Sequence, residues 1–152
     1  MNKFSVSVLF IFIITTSITC GTESKNQKFA DQVLESFYIQ SKKYKTKVRP
    51  YFKLAKSDEN KRKLFNEWVK SLKELTETLN KINTKGVEPS LTKISQKIME
   101  TSQTLMNLLM APIPSLSLDK VGLYAERMGA QQLEFELKLK NMGLEVTITG
   151  ED

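Results

Sequence analysis

The chain holds no histidine and a single cysteine, Cys20. Without histidine there is no Ser-His-Asp or Cys-His nucleophile arrangement, no imidazole general base and no His-ligated metal site. With one cysteine no intramolecular disulfide can form, although exported domains of this size often lean on such bonds. No Asn-x-Ser/Thr sequon occurs, so N-glycosylation is not expected. Gly-rich phosphate loops and calcium-loop patterns are absent as well. The carboxylates Glu67, Glu74 and Glu77 sit among lysines in a pattern that reads as a solvated helix face. With no placed acid, base or nucleophile, the expectation is a non-enzymatic protein with no cofactor and no metal.

What is present begins with a leader. Lys3 precedes an apolar run, Phe4 to Ile14, broken only by Ser5 and Ser7, and small or polar residues follow up to Cys20 and Gly21. That order reads as a signal peptide over residues 1–20. The run is well short of the roughly 20 apolar residues that cross a bilayer. The mature chain, 21–152, is then a single domain whose fold must cohere by burial of apolar faces. Losing Lys3, the only charge in the first 20 residues, lowers the net charge from +6 to +5. Secretion in soluble form is the first expectation. Cys20 at the leader boundary keeps a lipid-anchored surface form as the alternative, although Ser17 and Thr19 match a lipoprotein signal poorly.

Apolar periodicity predicts a mainly α protein, a bundle of about four helices. The first covers 25–48, with Phe29, Val33, Phe37, Tyr44 and Val48 on helical spacing and Pro50 kinking or ending it. The second has Ser57 as N-cap and Asp58 and Glu59 in its first turn. It carries Phe65, Trp68, Leu72, Leu75, Leu79 and Ile82 and stops at Gly86. The third starts near Pro89 and ends at Ala111-Pro112-Ile113-Pro114. A shorter fourth runs from Leu118 to Ala130, weakened by Gly122 and Gly129. Beyond it the period changes. Leu133, Phe135, Leu137 and Leu139 alternate with charged residues, Asn141-Met142-Gly143 supplies turn residues, and Leu144, Val146 and Ile148 alternate again. A C-terminal β-hairpin over 132–149 fits this pattern. A helix fits 133–140 too, since Leu133/Leu137 and Phe135/Leu139 are four apart.

Two stretches are candidates for binding. From Ser36 to Ser57 there are seven basic residues and no acid. On an α-helical wheel Lys42, Lys45, Arg49, Lys53 and Lys56 share one face, and Phe37, Tyr44, Val48, Tyr51 and Ala55 share another. Such a stretch suits an anionic partner, either a membrane surface or a sulfated glycan. A solvated bundle helix has the same look. Nucleic acid is disfavoured for an exported protein. The Leu/Met-rich end of the third helix, with Leu105, Leu108 and Leu109, suggests a pocket for an apolar, fatty-acid-like ligand; a bundle core is the plainer reading.

Two pieces of the chain resemble a known family. Leu64-Phe65-Asn66-Glu67-Trp68 is similar to the leucine-then-tryptophan helix of the SXP/RAL-type secreted proteins of parasitic nematodes. The helix Leu91 to Met110 running into Pro114-Ser115-Leu116-Ser117-Leu118 resembles that family's late helix and following helix start. The likeness spans residues 50–130 and leaves out the basic first helix and the alternating C-terminal stretch. It implies an extracellular helical protein, often an antigen exposed to a host. It also implies a divalent-cation role, for which this chain offers no ligand set, so no residue is carried over.

Overall fold

In a computed structural model of the chain, residues 4–52 and 54–146 are described, with side chains described from Ser24 onward. The protein is a small helical bundle. Its elements are α1 (Phe4–Lys43), one π-helical turn (Tyr44–Val48), α2 (Arg49–Phe52), α3 (Asp58–Lys81), α4 (Pro89–Met110), a 3-10 turn (Ile113–Ser115) and α5 (Leu118–Asn141). No strand occurs among the described residues.

The middle of the chain follows its local signals. The Ser57 hydroxyl accepts the Asn60 amide at 3.2 Å and starts α3. Phe65, Trp68, Leu72, Leu75 and Leu79 are buried on its inner face at spacings of three and four. Gly86 then takes φ +78°, the left-handed region where a side chain is strained, and lets the α3–α4 loop turn back. Pro89 occupies the first turn of α4, where its missing N–H costs least. Leu91, Ile94, Ile98, Leu105, Met106 and Leu109 bury the core side of α4.

Side chains from distant helices satisfy the helix ends. The Arg62 guanidinium donates to the carbonyls of Leu109 (2.7 Å) and Ala111, closing the C-terminus of α4 from α3. The buried Asn26 accepts the Glu88 amide at 2.9 Å and fixes the start of α4 from α1. Its neighbour Gln27 grips the backbone of Glu145 in both directions, accepting its N–H at 3.0 Å and donating to its carbonyl at 2.9 Å. The segment 26–27 therefore ties α1 to both the α3–α4 loop and the C-terminal tail.

One boundary requires correction: the fourth helix does not end at Ala130. Of the two readings open for 132–140, hairpin arm or helix, the helix is the one found. Continuous helix runs to Asn141. A strand would bring Leu133, Phe135, Leu137 and Leu139 to one face. Instead Phe135 and Leu139 are fully buried, while Leu133 and Leu137 are 57% and 51% exposed. The alternation of letters therefore conceals an i, i+4 pair, and Phe135 meets Phe29 with ring centroids 6.3 Å apart. Asn141-Met142-Gly143 does form a turn, but as a helix end. Gly143 has φ +71° and the Leu144 amide donates back to the Leu139 carbonyl at 3.0 Å. Of the second arm, Leu144 to Val146 are not strand and 147–149 lie outside the described residues.

The chain after Tyr44 also differs from expectation. Pro50 neither ends the helix nor stands alone as its disturbance. A π turn comes just before it, closed by the Arg49 amide donating to the Tyr44 carbonyl, and helix continues to Phe52. Pro50 thereby falls in the first turn of α2, where a missing N–H is tolerated.

Candidate functional site

The π turn decides what the basic stretch presents. One extra residue in the turn rotates everything after it by about 100° relative to a straight α-helical wheel. The single stripe of Lys42, Lys45, Arg49, Lys53 and Lys56 is thus divided: Lys42 precedes the π turn, Lys45 lies within it, Arg49 follows it in α2, and Lys56 lies beyond α2, outside any helix. Lys42, Lys45, Arg49 and Lys56 are all exposed; Lys53 lies outside the described residues. None of these four forms an ion pair among the described residues, although Lys42 stands 5.7 Å over the Tyr38 ring.

The apolar side of the same stretch divides too. Phe37 and Val48 are buried, and Tyr44 packs on Trp68 with centroids 4.7 Å apart. Past the π turn the apolar residues come to the surface. Tyr51 is 52% exposed and Leu54 is 69% exposed, while Phe52 keeps one contact with Phe65 at 5.8 Å. Leu118, from the start of α5, is 55% exposed and shares a small hollow with Phe52 and Leu64. The corner of the bundle formed by Arg49–Phe52 and residues 54–56 therefore carries Arg49 and Lys56, which form no ion pair among the described residues, in one short segment with exposed aromatic and aliphatic side chains. The nearest acids in sequence, Asp58 and Glu59, are paired within α3 to Lys61 and Lys63.

Lys43 behaves differently from its neighbours. Its ammonium donates to Glu74 of α3, joining α1 to α3. This hydrogen bond holds the Glu74 carboxyl below the ordinary carboxylate range against the opposing effect of its slight burial, and Lys70 and Lys47 add to the pull. The sequence places Glu74 on a solvated outer face; only the crossing of α1 over α3 shows it to be a partner of Lys43.

The candidate apolar pocket is mostly core. Leu105 and Leu109 are buried, and Leu108 is partly buried against the same cluster. Leu105 borders a hollow of about 170 Å³ between α1, α3, α4 and α5. Trp68, Tyr44 and Met128 also line it, and no charged residue does. The Trp68 indole N–H is buried without an acceptor among the described residues. Cys20, the candidate lipidation residue, lies where side chains are not described.

A larger cleft, which sequence reasoning missed, lies between α1 and the end of α3 with its following loop. Its volume is about 660 Å³. It is assembled from residues near 25–39 and 78–87, two segments that no sequence pattern links. Among the described residues no group of three His, Cys, Asp or Glu side chains is placed to hold a metal ion. Nor is any described helix long and apolar enough to cross a membrane. No family model, no curated protein and no solved structure matches the chain. The fold class that the coordinates define is an all-helical bundle.

Proposed function

We propose that this is an exported, non-enzymatic helical protein that binds anionic membrane surfaces through the corner formed by the π turn, α2 and the segment leading to Ser57. One observation carries the reading: Tyr51 and Leu54 are exposed in the same short segment as the exposed Arg49 and Lys56, directly after the π turn that holds Lys45, in a stretch without a single acid. Cations draw the corner to negatively charged headgroups, and exposed aromatic and aliphatic side chains enter the interface. A surface evolved only for solubility would not need Tyr51, Phe52, Leu54 and Leu118 at the same place. The leader over residues 1–20 and the resemblance to SXP/RAL-type secreted proteins support an extracellular setting, with anchoring through Cys20 as the alternative.

The test is co-sedimentation with phosphatidylserine-containing and with neutral phosphatidylcholine vesicles at physiological salt. The chain is expected on the anionic vesicles only. Each basic group near such a surface contributes about 1 kcal/mol, so Lys45→Gln with Arg49→Gln lowers partitioning about thirtyfold. Undiminished binding by that variant overturns the reading. Retention on heparin with no vesicle binding assigns the corner to sulfated glycans instead.

A further inference from the structure

The 660 Å³ cleft between α1 and the α3–α4 loop has a composition that names a ligand. Lys25 and Lys28 rise from α1, and Lys81 and Lys85 from the end of α3 and the loop. All four are exposed and form no ion pair among the described residues. Glu35 is the one acid in the lining, so the rim carries an excess of three positive charges. Between the lysines the lining mixes apolar side chains with the uncharged polar Gln32, Ser36, Thr78 and Asn83. Phe29 is buried at its base, Ile82 is partly buried, and Ile39 is 47% exposed inside the concavity.

Two features shape the cleft. Gly86 has no side chain where Lys25 passes: a Cβ there would stand 3.2 Å from the Lys25 ammonium. The glycine itself is required by its φ of +78°. A second hollow of about 300 Å³ shares Ser36, Ile39 and Thr78 with the first and extends it along the α1–α3 crossing toward the Lys43–Glu74 pair. The concavity is thus elongated: four lysines stand at one end, Phe29, Ile39 and Ile82 lie along it among polar side chains, and the far hollow is bounded by the Lys43–Glu74 pair with Leu75. Its size is within the range of small-molecule sites, about 300–1,000 Å³.

We infer that this cleft binds a single-chain amphiphile with an anionic head, the head held by Lys25, Lys28, Lys81 and Lys85 and the chain lying over Phe29, Ile39 and Ile82. A headgroup without a chain leaves Ile39 in water, and a neutral chain leaves the four lysines without an anionic partner beyond Glu35. The site is separate from the membrane-binding corner and stands whether or not the corner binds lipid surfaces.

Isothermal titration calorimetry on the full chain tests this with three ten-carbon probes below their micelle concentrations: decanoate, decanol and decyltrimethylammonium. Decanoate is expected to bind with one-to-one stoichiometry, decanol at least tenfold more weakly, and the cation not at all. Lys28→Gln with Lys81→Gln and Lys85→Gln should weaken decanoate at least tenfold. Ile39→Asn should weaken it severalfold with helicity unchanged by circular dichroism. Lys45→Gln with Arg49→Gln should leave decanoate binding as it is, which separates this site from the corner. Equal binding of decanoate and decyltrimethylammonium, wild-type affinity in the triple lysine variant, or no heat with decanoate overturns the proposal.

Discussion

Helix α4 and the stretch from Tyr44 to Ser57 have opposite relations to the rest of the protein. In α4 nine residues are buried, including the polar Ser95, Thr101 and Ser102, and both ends are capped by side chains from α1 and α3. From Tyr44 to Ser57 the only buried residue described is Val48, and the backbone departs from α geometry. The first segment is specified by what it packs against. The second keeps cations and large apolar side chains in solvent, where they add little to folding. Packing accounts for most of the apolar residues of α4, Met110 being exposed, whereas it leaves Tyr51 and Leu54 largely in solvent, and this contrast is what the proposed membrane contact would explain.

Several substitutions would break or sharpen the contrast. The largest effect belongs to the core that α4 shares with its neighbours. Phe135→Ala, which empties a fully buried site beside Phe29, should cost about 3–5 kcal/mol in urea denaturation. The same change would have little effect if 132–140 were an exposed strand, so it also tests the corrected boundary of α5. Next, Tyr51→Ser with Leu54→Ser should lower anionic-vesicle partitioning about tenfold or more while changing stability by only about 0.5 kcal/mol. A matching loss of stability would place these residues with the core and dissolve the contrast.

Smaller effects are expected at the junctions. Ser57→Ala removes the hydroxyl that caps α3 and should cost about 1 kcal/mol. At the Lys43–Glu74 pair both side chains are more than a third exposed, so Glu74→Gln should cost about 1 kcal/mol or less at neutral pH. The sign of its pH dependence follows from the lowered Glu74 pKa. The stabilisation is fully present above the unfolded carboxylate value, about 4.3, and is lost as pH falls through the lower folded value. The gap between wild type and Glu74→Gln in chemical denaturation should therefore be constant from pH 7 to 5 and close in more acidic solution.

Much of the architecture was legible in the letters. Ser57 as a cap, the three-four spacing from Phe65 to Leu79 and the paired prolines after Ala111 are local signals, and local physics obeys them; Gly86 reads as the end of the second helix, but α3 ends at Lys81 and Gly86 serves a turn in the loop that follows. The tail misled because Leu133 and Leu137 are apolar yet exposed, so a stripe two residues in period overlaid one of four. Only Phe29, arriving from α1, selects Phe135 and Leu139 as the buried pair. The basic stretch was legible as composition, but its geometry was not. A helical wheel assumes one constant rotation per residue, and the π turn at Tyr44–Val48 breaks that assumption. The diversion of Lys43 to Glu74 depends on which helix crosses which. The lysine-rimmed cleft was invisible for a similar reason, since Lys25 and Lys28 look like solvated residues until the loop after α3 brings Lys81 and Lys85 opposite them.

The central claim is that the corner after the π turn, and not the body of the bundle, meets an anionic membrane. Hydrogen–deuterium exchange of the chain with and without phosphatidylserine vesicles measures this directly. Amides from Arg49 to Ser57 should gain protection on the vesicles, while those of α4 and α5 exchange as they do in solution. Unchanged exchange at 49–57, or protection spread evenly over α3, α4 and α5, would contradict it.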